Sequence, residues 1–362
     1  MAYTTIDKSD DYFNTLIYTG NGTSGRSVTG VGFQPDWVWI KNRSDGDPHK
    51  LFDVVRGASK SIKSNSADAE VTNEENGYVS AFNSDGFTLT AGSSSQQDVN
   101  NSGENYVAWN WLASNTTASN TDGDITSTVS ANTTSGFSIV SYTGNGSTNQ
   151  TIGHGLGAVP SFIIVKARST TMNWPTYSKI LGNGVAFLDV TDAWANTPGA
   201  YDNYWYISGM TSSTFGVSNN VNTNTSGATF IAYVFAEKKG FSKFGTYIGN
   251  GSSDGPFIYT GFKPAFVMTK SSSNGGTYWN WGMWDTVRSP SNVNNKILAA
   301  NTADYESNPS NLGANQNIDF LSNGFKHRSG DVVNNSSGAT YIYMAFAENP
   351  FVTSTGIPAC AR

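Results

Sequence analysis

The sequence predicts an all-β protein built as three tandem antiparallel β-sandwiches of jelly-roll type. Three observations predict it. One set of motifs occurs three times along the chain, the principal strands are apolar on both faces, and helical periodicity is almost missing among many Gly, Asn and Ser turns.

Each unit opens with an apolar strand that runs into a Gly-Asn-Gly turn. The turns are Tyr18-Thr19-Gly20-Asn21-Gly22, Tyr142-Thr143-Gly144-Asn145-Gly146 and Tyr247-Ile248-Gly249-Asn250-Gly251. Asn-Gly tolerates positive φ at both central positions of a tight turn, so these dipeptides read as hairpin reversals. The same dipeptide recurs at Asn76, Asn183, Asn274 and Asn323.

A proline follows the tyrosine of each turn motif after 17, 18 and 17 residues (Pro35, Pro160, Pro264). It opens a strand that ends in lysine: Asp36-Trp37-Val38-Trp39-Ile40-Lys41, Ser161-Phe162-Ile163-Ile164-Val165-Lys166 and Ala265-Phe266-Val267-Met268-Thr269-Lys270. Proline cannot donate to a ladder and suits a strand start. Alternation puts Trp37 and Trp39, Phe162 and Ile164, or Phe266 and Met268 on one face. Val38 and Ile40, Ile163 and Val165, or Val267 and Thr269 form the other. A strand apolar on both faces is expected to be covered on both sides. Lys41, Lys166 and Lys270 continue the aromatic face, and the expectation is that their stems cover apolar surface while the amines reach water.

The closing strands come 71, 70 and 77 residues after the prolines: Tyr106-Val107-Ala108-Trp109-Asn110-Trp111, Phe230-Ile231-Ala232-Tyr233-Val234-Phe235 and Tyr341-Ile342-Tyr343-Met344-Ala345-Phe346. These repeats divide the chain into units over 1–120, 121–239 and 240–362, each long enough for a core of its own. A linker with some play is expected near 113–124, where Ser, Thr and Asn predominate. Almost none is expected at Lys238-Lys239-Gly240, so units two and three should abut rigidly. The one helix candidate covers 53–60.

The composition narrows the function. Charged residues are 13% of the chain, the net charge is −6 and the pI is near 5.0, which argues against a basic nucleic-acid footprint. No apolar run approaches the ~20 residues of a bilayer span, and the N-terminus lacks the pattern of a secretion signal. Cys360 is the only cysteine; no intrachain disulfide can form, and the thiol reads as an inert surface group.

No catalytic constellation emerges. His49, His154 and His327 fall at unrelated places in their units without metal-ligand spacing. Glu237 and Glu348 are equivalent after two closing strands, but Ala113 holds that place in unit one, so they read as solvated strand-end acids rather than a glycosidase pair. No catalytic, cofactor or metal residue is therefore assigned. Trp174, Trp194, Trp205, Trp279, Trp281 and Trp284 gather in the middle of units two and three. Their rings are open to three roles: sandwich core, subunit interface or glycan contact.

Asp11-Tyr12-Phe13-Asn14-Thr15, Gly32-Phe33-Gln34-Pro35, Gly261-Phe262-Lys263-Pro264 and Phe346-Ala347-Glu348-Asn349-Pro350-Phe351 resemble a repeat family of marine bacteriophage virion proteins, structural or tail-fibre-like in description. The resemblance spans essentially the whole chain. It implies a non-enzymatic virion protein, made in the host cytoplasm without a signal peptide. It would be displayed on the particle as a capsid decoration or as a short fibre or knob subunit. Without a heptad stalk or β-helical repeat, a compact component is favoured over a long fibre. The unrepeated ends, 1–11 and 352–362, are then the natural anchoring segments. The expected partners are other virion proteins and further copies of the chain, with a homotrimer favoured, and no nucleic acid or membrane insertion. The rival expectations are an adhesin that binds host-surface glycans through aromatic loops and a polysaccharide depolymerase. Whether the three units pack as a pseudo-trimer or project separately stays open.

Overall fold

A computed structural model describes residues 3–196, 201–308 and 316–358; Cys360 lies outside them. The chain is all-β, with its strands in antiparallel sheets. Among the described residues the one α-helix is the single turn Val221–Asn224.

Each unit has a larger sheet in which the closing strand lies between the opening strand and the post-proline strand. In unit one, Asn105–Trp111 pairs with Phe13–Thr19 on one side and Trp37–Asn42 on the other, and Lys50–Asp53 follows. Unit two repeats this with Phe137–Thr143, Thr229–Phe235, Phe162–Ala167 and Pro175–Ser178. Unit three does so with Ser242–Ile248, Thr340–Pro350, Phe262–Ser271 and Gly282–Asp285. The register is the same each time: Tyr18 faces Tyr106, Tyr142 faces Phe230 and Tyr247 faces Tyr341. A smaller sheet packs over one face, built in unit one from Arg26–Thr29, Gly86–Thr90 and Tyr78–Asn83. Gln150–Gly153 with Thr214–Val217 forms it in unit two. In unit three it is Phe257–Tyr259, Gly324–His327 and Ile318–Leu321.

The two apolar faces of the larger sheets have different destinations. Val38 and Ile40, Ile163 and Val165, and Val267 point between the two sheets of their own unit and build three private cores. Trp37, Trp39, Phe162, Ile164, Phe266 and Met268 point the other way, into a fourth core shared by all three units. The closing strands divide likewise: Trp109, Tyr233 and Met344 join the shared core, and Tyr106, Phe230 and Tyr341 the private ones. At the centre, Trp37 of unit one stacks on Tyr233 of unit two at 4.2 Å, and Phe235 of unit two meets Phe346 of unit three at 5.7 Å. Phe346 stacks on Phe13 of unit one at 5.2 Å. The three units thus form a closed ring around a common apolar axis: the pseudo-trimer, not three projecting modules.

The ring repeats its contacts in cyclic order. A segment of each unit reaches the next and donates a backbone N–H to the residue two beyond the strand-end lysine. Glu70 donates to the Arg168 carbonyl at 2.8 Å, Trp194 to Ser272 at 3.0 Å and Glu306 to Arg43 at 3.1 Å. Side chains follow the same cycle. Trp174 Nε1 donates to the Ser66 carbonyl and Trp281 Nε1 to the Phe187 carbonyl, both at 2.9 Å. His49, the equivalent residue of unit one, contacts the Ala299 carbonyl through Nε2 at 2.9 Å. Two corners carry bidentate pairs, Arg168 with Glu70 and Arg43 with Glu306. At the third, Trp194 stands in place of the acid.

Several local expectations change. Residues 53–60 form no helix: Lys50–Asp53 is a strand, and Asp53 then accepts from the backbone N–H of Arg56 at 2.8 Å and ion-pairs with its guanidinium, closing a turn. The segment 113–124 is pinned rather than loose, because the Asp36 carboxylate accepts from the N–H groups of Ala113 and Asn115 at 2.7 and 3.1 Å. Ala118–Asn120 pairs with Ser127–Asn132 at the edge of the second unit's sheet, so structurally it goes with unit two.

Candidate functional site

Strand direction gives the molecule two poles. Opening and post-proline strands run from one pole to the other, and closing strands return. At the far pole lie the three Gly-Asn-Gly turns; at the near pole the described parts of both unrepeated ends, 3–11 and 352–358, meet.

The turns are not the hairpins the dipeptide suggests. Each is clasped by a second, fully buried asparagine six residues before the first aromatic residue of the closing strand: Asn100, Asn224 and Asn335. In unit two, Asn224 Nδ2 donates to Asn145 Oδ1 at 3.1 Å and to the Ser147 carbonyl at 2.8 Å, while Asn145 N donates to Asn224 Oδ1 at 2.9 Å. Units one and three repeat the pattern with Asn100–Asn21 and Asn335–Asn250. Below each clasp the motif tyrosine stacks on the closing strand at 5.0–5.1 Å. Its hydroxyl donates at 2.7 Å to the carbonyl preceding the clasp asparagine (Val99, Thr223 or Asn334). True two-residue hairpins occur instead at Ser84-Asp85 and Ser322-Asn323. The recurring asparagine before the closing strand was the sequence signal for the clasp.

The strand-end lysines are buried, not snorkelling: Lys41, Lys166 and Lys270 are all 0% exposed. Lys166 Nζ donates to the Ala67 carbonyl of unit one at 2.8 Å, and Lys270 Nζ to the Thr191 carbonyl of unit two at 3.0 Å. Lys41 donates to Asn42 and Asp45 carbonyls in its own unit. Burial lowers Lys41 and Lys166 to about 8 and Lys270 to about 7, against the opposing pull of nearby aspartates. For Lys166 and Lys270 the loop of the neighbouring unit covers the amine, which no local pattern could announce.

The tryptophans resolve into core. Trp174, Trp205, Trp281 and Trp284 are at most 2% exposed, Trp194 is 9% exposed, and Trp279 is half-buried against the private core of unit three. Trp174, Trp194 and Trp281 serve the junctions between units; Trp205 and Trp284 fill private cores. No ring in this set offers an open face for a partner subunit or a sugar, apart from the outer side of Trp279.

The histidines are likewise interior. Burial holds His49 well below its usual value and pushes His327 down to about 3, and His154 is lowered for the same reason. Among the described residues, no group of three or more His, Cys, Asp or Glu side chains could hold a metal ion. Glu237 pairs with Lys243 at 2.7 Å and Glu348 with Lys263 at 2.8 Å, each partly exposed at a strand end.

At the near pole, Tyr3 Oη donates to the Gly261 carbonyl at 2.6 Å and Lys239 Nζ lies 4.5 Å from the Tyr3 ring centre. Ser354 N donates to Asp7, tying the C-terminal segment to the N-terminal one. Beside them Phe257 and Tyr259 project from an edge strand, 45% and 56% exposed. Equivalent positions carry Ser27 and Thr29 in unit one and Thr151 and Gly153 in unit two. The exposed aromatic pair therefore breaks the threefold repeat on the side where the ends converge.

A protein-family model described as a domain of unknown function (DUF7483) matches residues 8–350, spanning all three units in one stretch. No curated protein and no solved structure matches the chain.

Proposed function

Taking as premise that the chain belongs to the DUF7483 family, we propose that it is a non-enzymatic structural protein of a bacteriophage particle. It would act as a capsid decoration or as a short fibre or knob subunit, fixed by its near pole and displaying its far pole. The observation that carries this reading is the division of labour between the poles. The described parts of both unrepeated ends lie together with an exposed aromatic pair that departs from the repeat, while three equivalent polar clasps face away. Such a molecule needs one asymmetric attachment face and a rigid body. The body is supplied by a shared core and cyclic polar contacts between units. Much of its buried polar chemistry serves cohesion: Lys166, Lys270, His49 and the clasp asparagine Asn224 bond to backbone carbonyls. The family resemblance in the repeat motifs supports a virion setting. The partners proposed are other virion proteins at the near pole and further copies of the chain, with light scattering reading whether a homotrimer forms.

Electron microscopy of intact particles labelled with gold-conjugated antibody to this chain tests the proposal. Label over the head is expected for a decoration and label at the tail tip for a fibre or knob. Particles without label at either place overturn the virion reading.

A further inference from the structure

We propose that a pocket at the far pole, where loops of all three units meet, binds a neutral mono- or disaccharide unit. The pocket has a volume of about 480 Å³ and exists because the ring closes: Gly46 comes from unit one, Thr191 from unit two, and Tyr278, Asn280, Thr302 and Asp304 from unit three. That volume lies within the range of small-ligand sites.

The pocket is built by a departure from the repeat. From strand-end lysine to the equivalent ring residue is eight residues in units one and two (Lys41 to His49, Lys166 to Trp174) and eleven in unit three (Lys270 to Trp281). The three extra residues deliver Tyr278 to the pocket mouth. The loop is held in place by close backbone approach: a Cβ on Gly275 would lie 2.6 Å from the Ala193 nitrogen of unit two. Tyr278 itself has φ of +69°, the left-handed region that disfavours a side chain of this size, and the residue is 44% exposed. Core packing does not repay that conformation, and strain of this kind gathers at ligand sites.

The chemistry selects the ligand. A tyrosine ring offers a flat apolar face, against which the C–H face of a pyranose can lie. The Thr302 hydroxyl and the Asp304 carboxylate line the pocket beside the ring. Asp304 Oδ1 already accepts from Asn308 at 3.0 Å, and a carboxylate has lone pairs enough to accept from vicinal sugar hydroxyls as well. The Asn280 amide is 2% exposed and accepts from Asn301 at 2.7 Å. An anionic ligand is disfavoured, because the nearby amines of Lys41 and Lys270 are fully buried and turned to backbone carbonyls. Sugar binding here is independent of where on a particle the protein sits.

The test is saturation-transfer NMR on the full chain with the methyl glycosides of glucose, galactose, mannose and N-acetylglucosamine at millimolar concentration. Transfer to at least one is expected. Tyr278→Gly, which accepts the left-handed backbone and so keeps the fold, should reduce it at least tenfold. Tyr259→Ala at the opposite pole should leave it unchanged. No transfer to any of the four, or undiminished transfer in Tyr278→Gly, overturns the proposal.

Discussion

At the scale of the residue, the three buried lysines set a pH dependence whose sign can be worked out. Each has a folded pKa, about 7 to 8, below the unfolded value of 10.5. Between those values the unfolded chain holds more protons than the folded one, so stability rises with pH over that window. A neutral amine still has two hydrogens for its carbonyl partners, so the contacts survive deprotonation. The urea midpoint is expected to be higher at pH 9.5 than at pH 6.5, and Lys270→Met should shrink the difference; a midpoint that falls over this range would contradict the assignment. The Asp53–Arg56 pair makes a second case. Tyr233 of unit two donates to Asp53 at 2.9 Å, and at another junction Trp109 donates to Asp285, which pairs with Arg288. Unit two has Ser178 and Leu181 at the matching positions. Asp53→Ala removes the nearest carboxylate from a buried guanidinium that keeps Glu70 at 3.4 Å and the Lys60 and Leu51 carbonyls, and should cost about 3 kcal/mol by chemical denaturation. The double change Asp53→Ser/Arg56→Leu, which copies unit two, should recover more than half. Alternation placed the three lysines on the correct face in the sequence, whereas Asp53 and Arg56 fell in a stretch that read as a helix. Their burial was invisible there, since for Lys166, Lys270 and Asp53 a partner comes from the adjacent unit.

At the scale of the element, the clasped turn shows why a strong local signal can mislead. Asn-Gly favours a hairpin when two adjacent strands compete for nothing else. Here the strand after the turn leaves for the smaller sheet, and the turn is instead fixed by a loop some 80 residues away. Glycine has two separate duties within it. Gly146 has φ of +74°, whereas a Cβ on Gly144 would sit 2.3 Å from the Thr225 carbonyl oxygen. Gly144→Ala must push the two loops apart, at a cost typical of overpacking, about 1–3 kcal/mol. Asn224→Ala leaves Asn145 N and the Ser147 carbonyl without their partner, for about 2–4 kcal/mol in sum. Hydrogen exchange should locate the damage: faster exchange at Gly144 and Gly146 in Asn224→Ala, with the shared core still protected. Uniform acceleration throughout the chain would mean that the clasp supports the whole ring. The doubly apolar strands, by contrast, were fully legible, because two-faced burial writes itself into every residue of a short run.

At the scale of the whole molecule, the threefold repeat was plain in the sequence, but its closure was not. Closure rests on contacts such as Trp37 with Tyr233 and Phe13 with Phe346, hundreds of residues apart in the second case, and no periodicity encodes them. The consequence is thermodynamic. A sandwich domain normally folds alone, but each unit here lends one face of its larger sheet to a core it does not own. Unit two cut at its boundaries would expose Phe137, Ile139, Phe162, Ile164, Tyr233 and Phe235 together, a patch far beyond what a soluble monomer displays. Residues that buttress one another across three units should also melt together. Calorimetry of the full chain is therefore expected to give one transition, with a calorimetric enthalpy of about 250 kcal/mol near 60 °C equal to the van't Hoff value. The isolated unit over 121–239 should aggregate or stay unfolded under the same conditions. Three resolved transitions, or a well-folded isolated unit, would show that the shared core is an interface between finished domains rather than part of their folding. Cooperative closure would also explain how a chain without a disulfide framework stays rigid: the ring replaces covalent staples with a core that no unit can leave without exposing the other two.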